Sequence, residues 1–155
     1  MKDNEPICIH VHVLPLCLTI SEDLETVPAF SARPSQSREH VVGEVMQFDV
    51  AISNLGGYYQ PDNSVFICPF DGVYVFSLNT LSQSGYLLAL DMYIDNQVYV
   101  YTFADNVEGV YNQASNMYVG FCAAGSQTWA KVTAASRCHG NPNTVFSGFL
   151  LQRYE

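Results

Sequence analysis

The chain reads as an all-β protein, an antiparallel jelly-roll β-sandwich, and three observations predict it. Apolar and aromatic residues recur two apart, as in Tyr74, Phe76 and Leu78 or Leu88, Leu90, Met92 and Ile94, the spacing that puts strand side chains on one face. Gly, Asn, Asp and Pro interrupt these runs at short intervals, where turns need residues that tolerate positive φ. After residue 30 no stretch carries the 3.6-residue period of an amphipathic helix. Many short strands with frequent turns indicate a sandwich or jelly roll.

The elements follow in order. Pro28–Ala32 opens the sheet, and Val45–Ile52 is a strand whose Phe48, Val50 and Ile52 point together. Asn54, Gly56 and Gly57 end it. Val65–Cys68 follows, then the turn Pro69-Phe70-Asp71-Gly72, then Val73–Leu81. Tyr86–Ile94 supplies a core face through its four aliphatic side chains. Asp95-Asn96-Gln97 is a hairpin turn, since Asp and Asn accept the left-handed conformation. On Val98–Phe103, Tyr99, Tyr101 and Phe103 form an aromatic stripe opposite Val98 and Val100, so one face packs inward and the other meets a neighbour. Met117–Cys122, Thr128–Ala135 and Thr144–Leu151 complete the set.

Phe48, Asn54, Tyr59, Phe66, Gly72, Tyr74 and Phe76 fall at the intervals of a known pattern. On these residues the chain resembles the globular head of complement C1q, a relative of the tumour necrosis factor cytokines. Pro28-Ala29-Phe30-Ser31-Ala32 is similar to that family's opening strand and Thr144–Leu151 to its closing one. The similarity covers roughly Val27 to Gln152. Leu78 departs from the pattern, standing where relatives carry an aromatic. A second departure is Gly125-Ser126, where relatives have Gly-Asp. No Gly-X-Y repeat is present, so the chain resembles a head-only member without the collagen stalk.

Length and composition set bounds. A chain of 155 residues suits one domain with a core. Hydrophobic residues at 48% against 14% charged exclude a disordered chain. Six basic and fifteen acidic residues give a net charge of −9. Such a surface lacks the Lys and Arg clusters that hold phosphates, which argues against nucleic acid. No apolar run reaches the ~18–20 residues of a membrane-spanning helix.

We read residues 1–26 as an N-terminal leader or extension and 27–155 as the head domain. Ile7–Ile20 has the length of a signal peptide's apolar core, but His10 and His12 interrupt it and no small-x-small cleavage site follows. An additional strand on the head is the competing reading. Cys8, His10 and His12 share the two-residue spacing, but strand neighbours at ~6–7 Å do not converge on zinc without a bend and a fourth ligand. The five cysteines are Cys8, Cys17, Cys68, Cys122 and Cys138. Their pairing stays open, and Cys122, between Phe121 and Ala123, reads as a small buried hydrophobe.

Two loops hold the candidate ligand-binding residues. Asp105, Asn106 and Glu108 follow Phe103; in relatives the corresponding loop lies at the outer end of the head, where calcium or ligands bind. Calcium takes six to eight oxygen ligands, which two carboxylates and an amide supply only in part. The competing reading is a solvated acidic loop, and no metal ligand is assigned. Arg137, His139, Asn141 and Asn143 gather before the last strand, where Asn amides suit sugar hydroxyls and an Arg fork suits a carboxylate. Ordinary loop chemistry explains the same residues. Tyr74, Phe76, Phe146 and Phe149 belong to the core or to an oligomer interface, the core being preferred for any one. No Gly-x-Ser-x-Gly, His-Glu-x-x-His or phosphate-binding loop occurs, so no enzyme is expected.

The resemblance therefore implies a non-catalytic, secreted, extracellular recognition protein of innate immunity. It would be a homotrimer, binding glycans or microbial surface molecules like a lectin, with calcium as an accessory at most. The alternative is a cytokine-like or synaptic-organiser-like ligand for a protein receptor. A third reading is a structural member whose oligomer is its purpose.

Overall fold

Gly72–Leu81 shows the two-residue period most plainly, alternating buried and half-buried along its whole length. The computed structural model describes residues 26–105, 107–135, 137–138 and 143–154. Of 9–11, 14–16, 135, 137 and 138 it describes the main chain only. In chain order the strands are β1 (Ile9–Val11), β2 (Leu14–Leu16), β3 (Ala29–Arg33), β4 (Arg38–Glu39), β5 (Val50–Leu55), β6 (Tyr59–Gln60) and β7 (Val65–Ile67). They continue as β8 (Gly72–Leu81), β9 (Leu88–Ile94), β10 (Gln97–Ala104), β11 (Gln113–Cys122), β12 (Gln127–Ala135), β13 (Arg137–Cys138) and β14 (Val145–Arg153).

Two five-stranded antiparallel sheets form the sandwich, in the orders β10-β9-β12-β7-β6 and β11-β8-β14-β3-β5. This is the jelly roll the alternation predicts. β1 and β2 pair with each other, and β13 pairs with β4. The first of these pairs supplies strand structure within residues 1–26.

The core lies between the sheets. Tyr74, Phe76, Leu78 and Phe146 enter it from one side, and Leu88, Leu90, Met92 and Ile94 from the other. Each such side chain contributes about 1.5–3 kcal/mol on leaving water. Phe30 is the hub, stacked on Tyr59 at 4.6 Å and on Phe66 at 4.8 Å, with Phe146 edge-on at 4.9 Å. Burial pushes the Tyr74 phenol up to about 12. It therefore stays protonated and donates to the Phe70 carbonyl at 2.9 Å.

Two glycines permit this packing. A Cβ on Gly72 would meet the Gln152 carbonyl and the Leu150 side chain, and one on Gly148 would meet the Phe76 and Phe30 rings. Gly72 is thus the residue that lets β14 approach β8 closely.

Several strand expectations need correction. Val45–Ile52 is not one strand. Residues 43–46 lie along β12, with Gly43 N–H to the Val132 carbonyl and Met46 N–H to the Ala130 carbonyl, both 2.8 Å. The chain then crosses to the other sheet and joins β3 only from Val50. Phe48 sits in the crossing with its ring buried, whereas Ile52 is 56% exposed; the two do not share a face. Tyr86 belongs to a turn, its N–H bonded to the Gln83 carbonyl, and that strand begins at Leu88. β11 starts at Gln113, four residues before the expected Met117. A register shift between Val98 and Val100 turns only Val100 inward, so these two valines do not form one face. Asp95 adopts φ 52° in the hairpin, as its chemistry predicts.

Candidate functional site

The register of the strands decides which loops meet. β8 ends at Leu81 opposite Gln113, β14 begins opposite Asn79, and β9 and β12 meet at Leu88 and Ala135. Loops 82–87, 105–112 and the segment before β14 therefore leave the sandwich at one end. Residues 34–39 join them, because β4 pairs with β13, and Asp49 returns to them through its bond from the Ser35 N–H. Both expected ligand-binding loops thus share one end of the molecule.

The acidic loop is anchored rather than loose. The Ser82 hydroxyl donates to the Asp105 carbonyl at 2.9 Å, and Gly109 N–H donates to Ser84 Oγ at 2.8 Å. Both bonds fasten main chain, leaving the side chains of Asp105 and Glu108 exposed. Asn143 is exposed too, and its neighbour Thr144 accepts a bond from Leu81 N–H at 3.0 Å. Arg137 lies in β13, which a sequence reading places in a loop; its main chain alone is described. Asn106, His139 and Asn141 fall outside the described residues, as do the side chains of Cys8, His10 and His12.

A polar cleft at the same end was not expected from the sequence. It has a volume of about 170 Å³ and is lined by Pro34, Ser35, Gln36, Arg38, Gln47 and Asp49. Asp49 Oδ1 accepts the Ser35 N–H at 2.7 Å. Burial acts to raise the Asp49 carboxyl, but the bonds from Ser35 and the nearby Arg38 charge outweigh it and hold the group low. Beside the cleft, His40 Nδ1 lies 2.7 Å from Glu44 Oε1, and Arg38 reaches the same oxygen at 3.4 Å. The sequence signal for the cleft is the polar run from Ser35 to His40. Its pairing with Gln47 and Asp49 depends on a crossing that periodicity does not show.

The donors present do not make a calcium shell. Among the described residues no group of three or more His, Cys, Asp and Glu converges. Asp105 and Glu108 alone fall short of the six to eight oxygens calcium takes.

A second surface is apolar. On the outward face of the β11-β8-β14-β3-β5 sheet, Val119, Val75, Phe149, Ala29 and Leu55 are paired in one row across all five strands. The next row is Met117, Ser77, Ser147, Ser31 and Ser53, in which Ser31 and Ser147 hydroxyls meet at 2.9 Å. Tyr74, Phe76 and Phe146 are fully buried and belong to the core, while Phe149 is 43% exposed on this outer face. The Tyr99, Tyr101 and Phe103 stripe faces outward on edge strand β10, with Tyr99 against Tyr118 of β11 at 4.8 Å. No helix among the described residues is long and apolar enough to cross a membrane.

Comparison with known proteins agrees with this architecture. The chain is 28% identical to zebrafish (Danio rerio) Caprin-2 over 148 residues, 91% of this chain and 15% of the relative. It is 26% identical to a human (Homo sapiens) complement C1q subcomponent over 110 residues, 70% of this chain and 44% of the relative. It therefore spans less than half the length of these curated relatives. Among solved structures, the globular domain of zebrafish complement 1qA superposes with a TM-score of 0.70 at 23% identity. That match covers 82% of this chain and 99% of the other. Tumour necrosis factor proteins share the same jelly roll. The C1q domain profile matches residues 29–151, the span of both sheets, and the chain belongs to the C1q domain family.

Proposed function

We propose that this chain is a non-catalytic, secreted recognition protein. It assembles as a homotrimer and binds glycans or microbial surface molecules through the loops at one end of the sandwich. One juxtaposition carries the reading: Asp105, Glu108 and Asn143 are exposed at one end, beside exposed Val107, Val110 and Tyr111, while the apolar row that crosses five strands lies on a flank. The flank suits burial against other copies, since an apolar row spanning five strands gains by leaving water. The end suits a ligand rich in hydroxyls, because rigid strands hold loops bearing Asp105, Glu108 and Asn143. Arg137 of β13, and Asn106, His139 and Asn141 close by in sequence, are proposed to join them in contacting ligand. Each head binds weakly, and three heads on one surface raise avidity without new contacts. Calcium is assigned no step.

Light scattering combined with a glycan array, read in calcium and then in chelator, tests this. A trimer whose array signal competes with free sugar, and weakens in Glu108→Ala and Asn143→Ala, supports it. A monomer without sugar binding removes the support. The second reading, a ligand for a protein receptor, draws on the fold shared with tumour necrosis factor proteins. Saturable cell binding that ignores free sugar favours it.

A further inference from the structure

Cys68 follows β7 in one sheet and Cys122 ends β11 in the other. Both are buried in the same core cluster, at 0% and 2% exposure. Their main chains are fixed: Cys68 N–H donates to the Ser126 carbonyl and the Cys68 carbonyl accepts from Gly125 N–H, both at 2.8 Å. Cys122 is held in register opposite Gly72, and Asp71 Oδ1 accepts the Ala124 N–H at 2.7 Å. Both are free thiols in this structure, and the frame seats them in one core cluster, with Cys68 strapped to the turn that begins directly after Cys122.

We infer that Cys68 and Cys122 are a modification site, a thiol pair that closes into a disulfide joining the two sheets at the end opposite the polar loops. The oxidant is a small-molecule disulfide such as glutathione disulfide. One thiolate of the pair attacks one glutathione sulfur and displaces a glutathione thiolate. The other thiolate then attacks the protein sulfur of that mixed disulfide and releases the second glutathione. Two electrons pass from the protein sulfurs to glutathione disulfide, and the two thiol protons end on the two glutathione thiols.

Neither sulfur meets solvent in the closed sandwich, so the bond forms as the sheets come together during folding. In the folded protein both redox forms react slowly with outside reagents. The bridge closes the chain from residue 68 to residue 122, a loop long enough to restrict the unfolded ensemble substantially.

The test uses the full chain, refolded from denaturant in a glutathione redox buffer, acid-quenched, then blocked with iodoacetamide in denaturant and mapped by mass spectrometry. Chymotrypsin is the protease of choice, since no Lys or Arg lies between Cys68 and Cys122. A cross-linked Cys68–Cys122 peptide is expected. The thermal midpoint of the oxidised protein should exceed that of the fully reduced protein by about 10 °C. Cys122→Ala should abolish the difference and Cys138→Ser should retain it. Separate alkylation of Cys68 and Cys122, or a bridge from either to Cys8, Cys17 or Cys138, overturns the inference. Mapping the unsubstituted chain decides the matter even where Cys122→Ala does not fold.

Discussion

The side-chain amide of Asn54 holds both polar groups of the Tyr59 main chain. Its Nδ2 donates to the Tyr59 carbonyl at 2.9 Å, and its Oδ1 accepts the Tyr59 N–H at 3.1 Å. An amide here replaces the ladder bonds that the Gly56-Gly57 turn interrupts. Tyr59 in turn donates its hydroxyl to the Phe48 carbonyl at 2.7 Å, and Phe48 N–H donates to Ser64 Oγ at 2.8 Å. Three residues of the family pattern are therefore one connected hydrogen-bonded unit. Asn54→Ala should cost about 2 kcal/mol, the cost of two lost bonds partly replaced by water. Urea unfolding measures it, and an unchanged midpoint would show the unit to be incidental.

Gly148 sits where a methyl group would enter the Phe76 and Phe30 rings. The rings are clamped by their neighbours, with Phe30 stacked between Tyr59 and Phe66. Gly148→Ala should destabilise the sandwich by about 3 kcal/mol through overpacking. Calorimetry on the soluble variant would show the lowered transition. A gain in stability would mean the aromatic cluster can rearrange.

Phe149 is the aromatic residue of the outward apolar row, opposite Val75 and Ala29. Phe149→Glu should convert the proposed trimer to a monomer while leaving the strand signal in circular dichroism intact. Light scattering reads the mass directly. A trimer that survives the charge would place the assembly surface elsewhere.

His40 gives the fold a sign of pH dependence. Burial lowers its pKa below the ordinary 6.5, opposed by the Glu44 hydrogen bond and aided by the Arg38 charge. The unfolded chain, with a free imidazole, then binds the proton more readily than the folded one. This contribution to stability is complete above pH 6.5 and declines as pH falls from there toward the lower folded value. Thermal midpoints from pH 8 to pH 5 should fall, and His40→Gln should flatten that part of the curve. An identical slope in the variant would assign the loss to other groups.

The alternation of Tyr74, Phe76 and Leu78 was legible because β8 runs straight from a close-packed glycine, so spacing maps onto faces without interruption. Spacing also bears on Phe146 and Phe149: three apart in a strand, they cannot share a face, and one is core while the other is exposed. Phe48 and Ile52 were misread because the chain changes sheets between them, and a shift opposite Ser31 and Ala32 alters the phase. The cleft of Arg38, Gln47 and Asp49 was invisible for the same reason. Its lining comes from both sides of that crossing.

Period, turn chemistry and the intervals from Phe48 to Phe76 determined the sheet class, the family and the composition of the core, because these are local or evenly spaced properties. Only the tertiary structure decided which loops share an end, which apolar residues stay outside, and that Cys68 and Cys122 fall in one core cluster. Those are pairings between residues distant in the chain, set by strand register and crossing. No local pattern of residues encodes them.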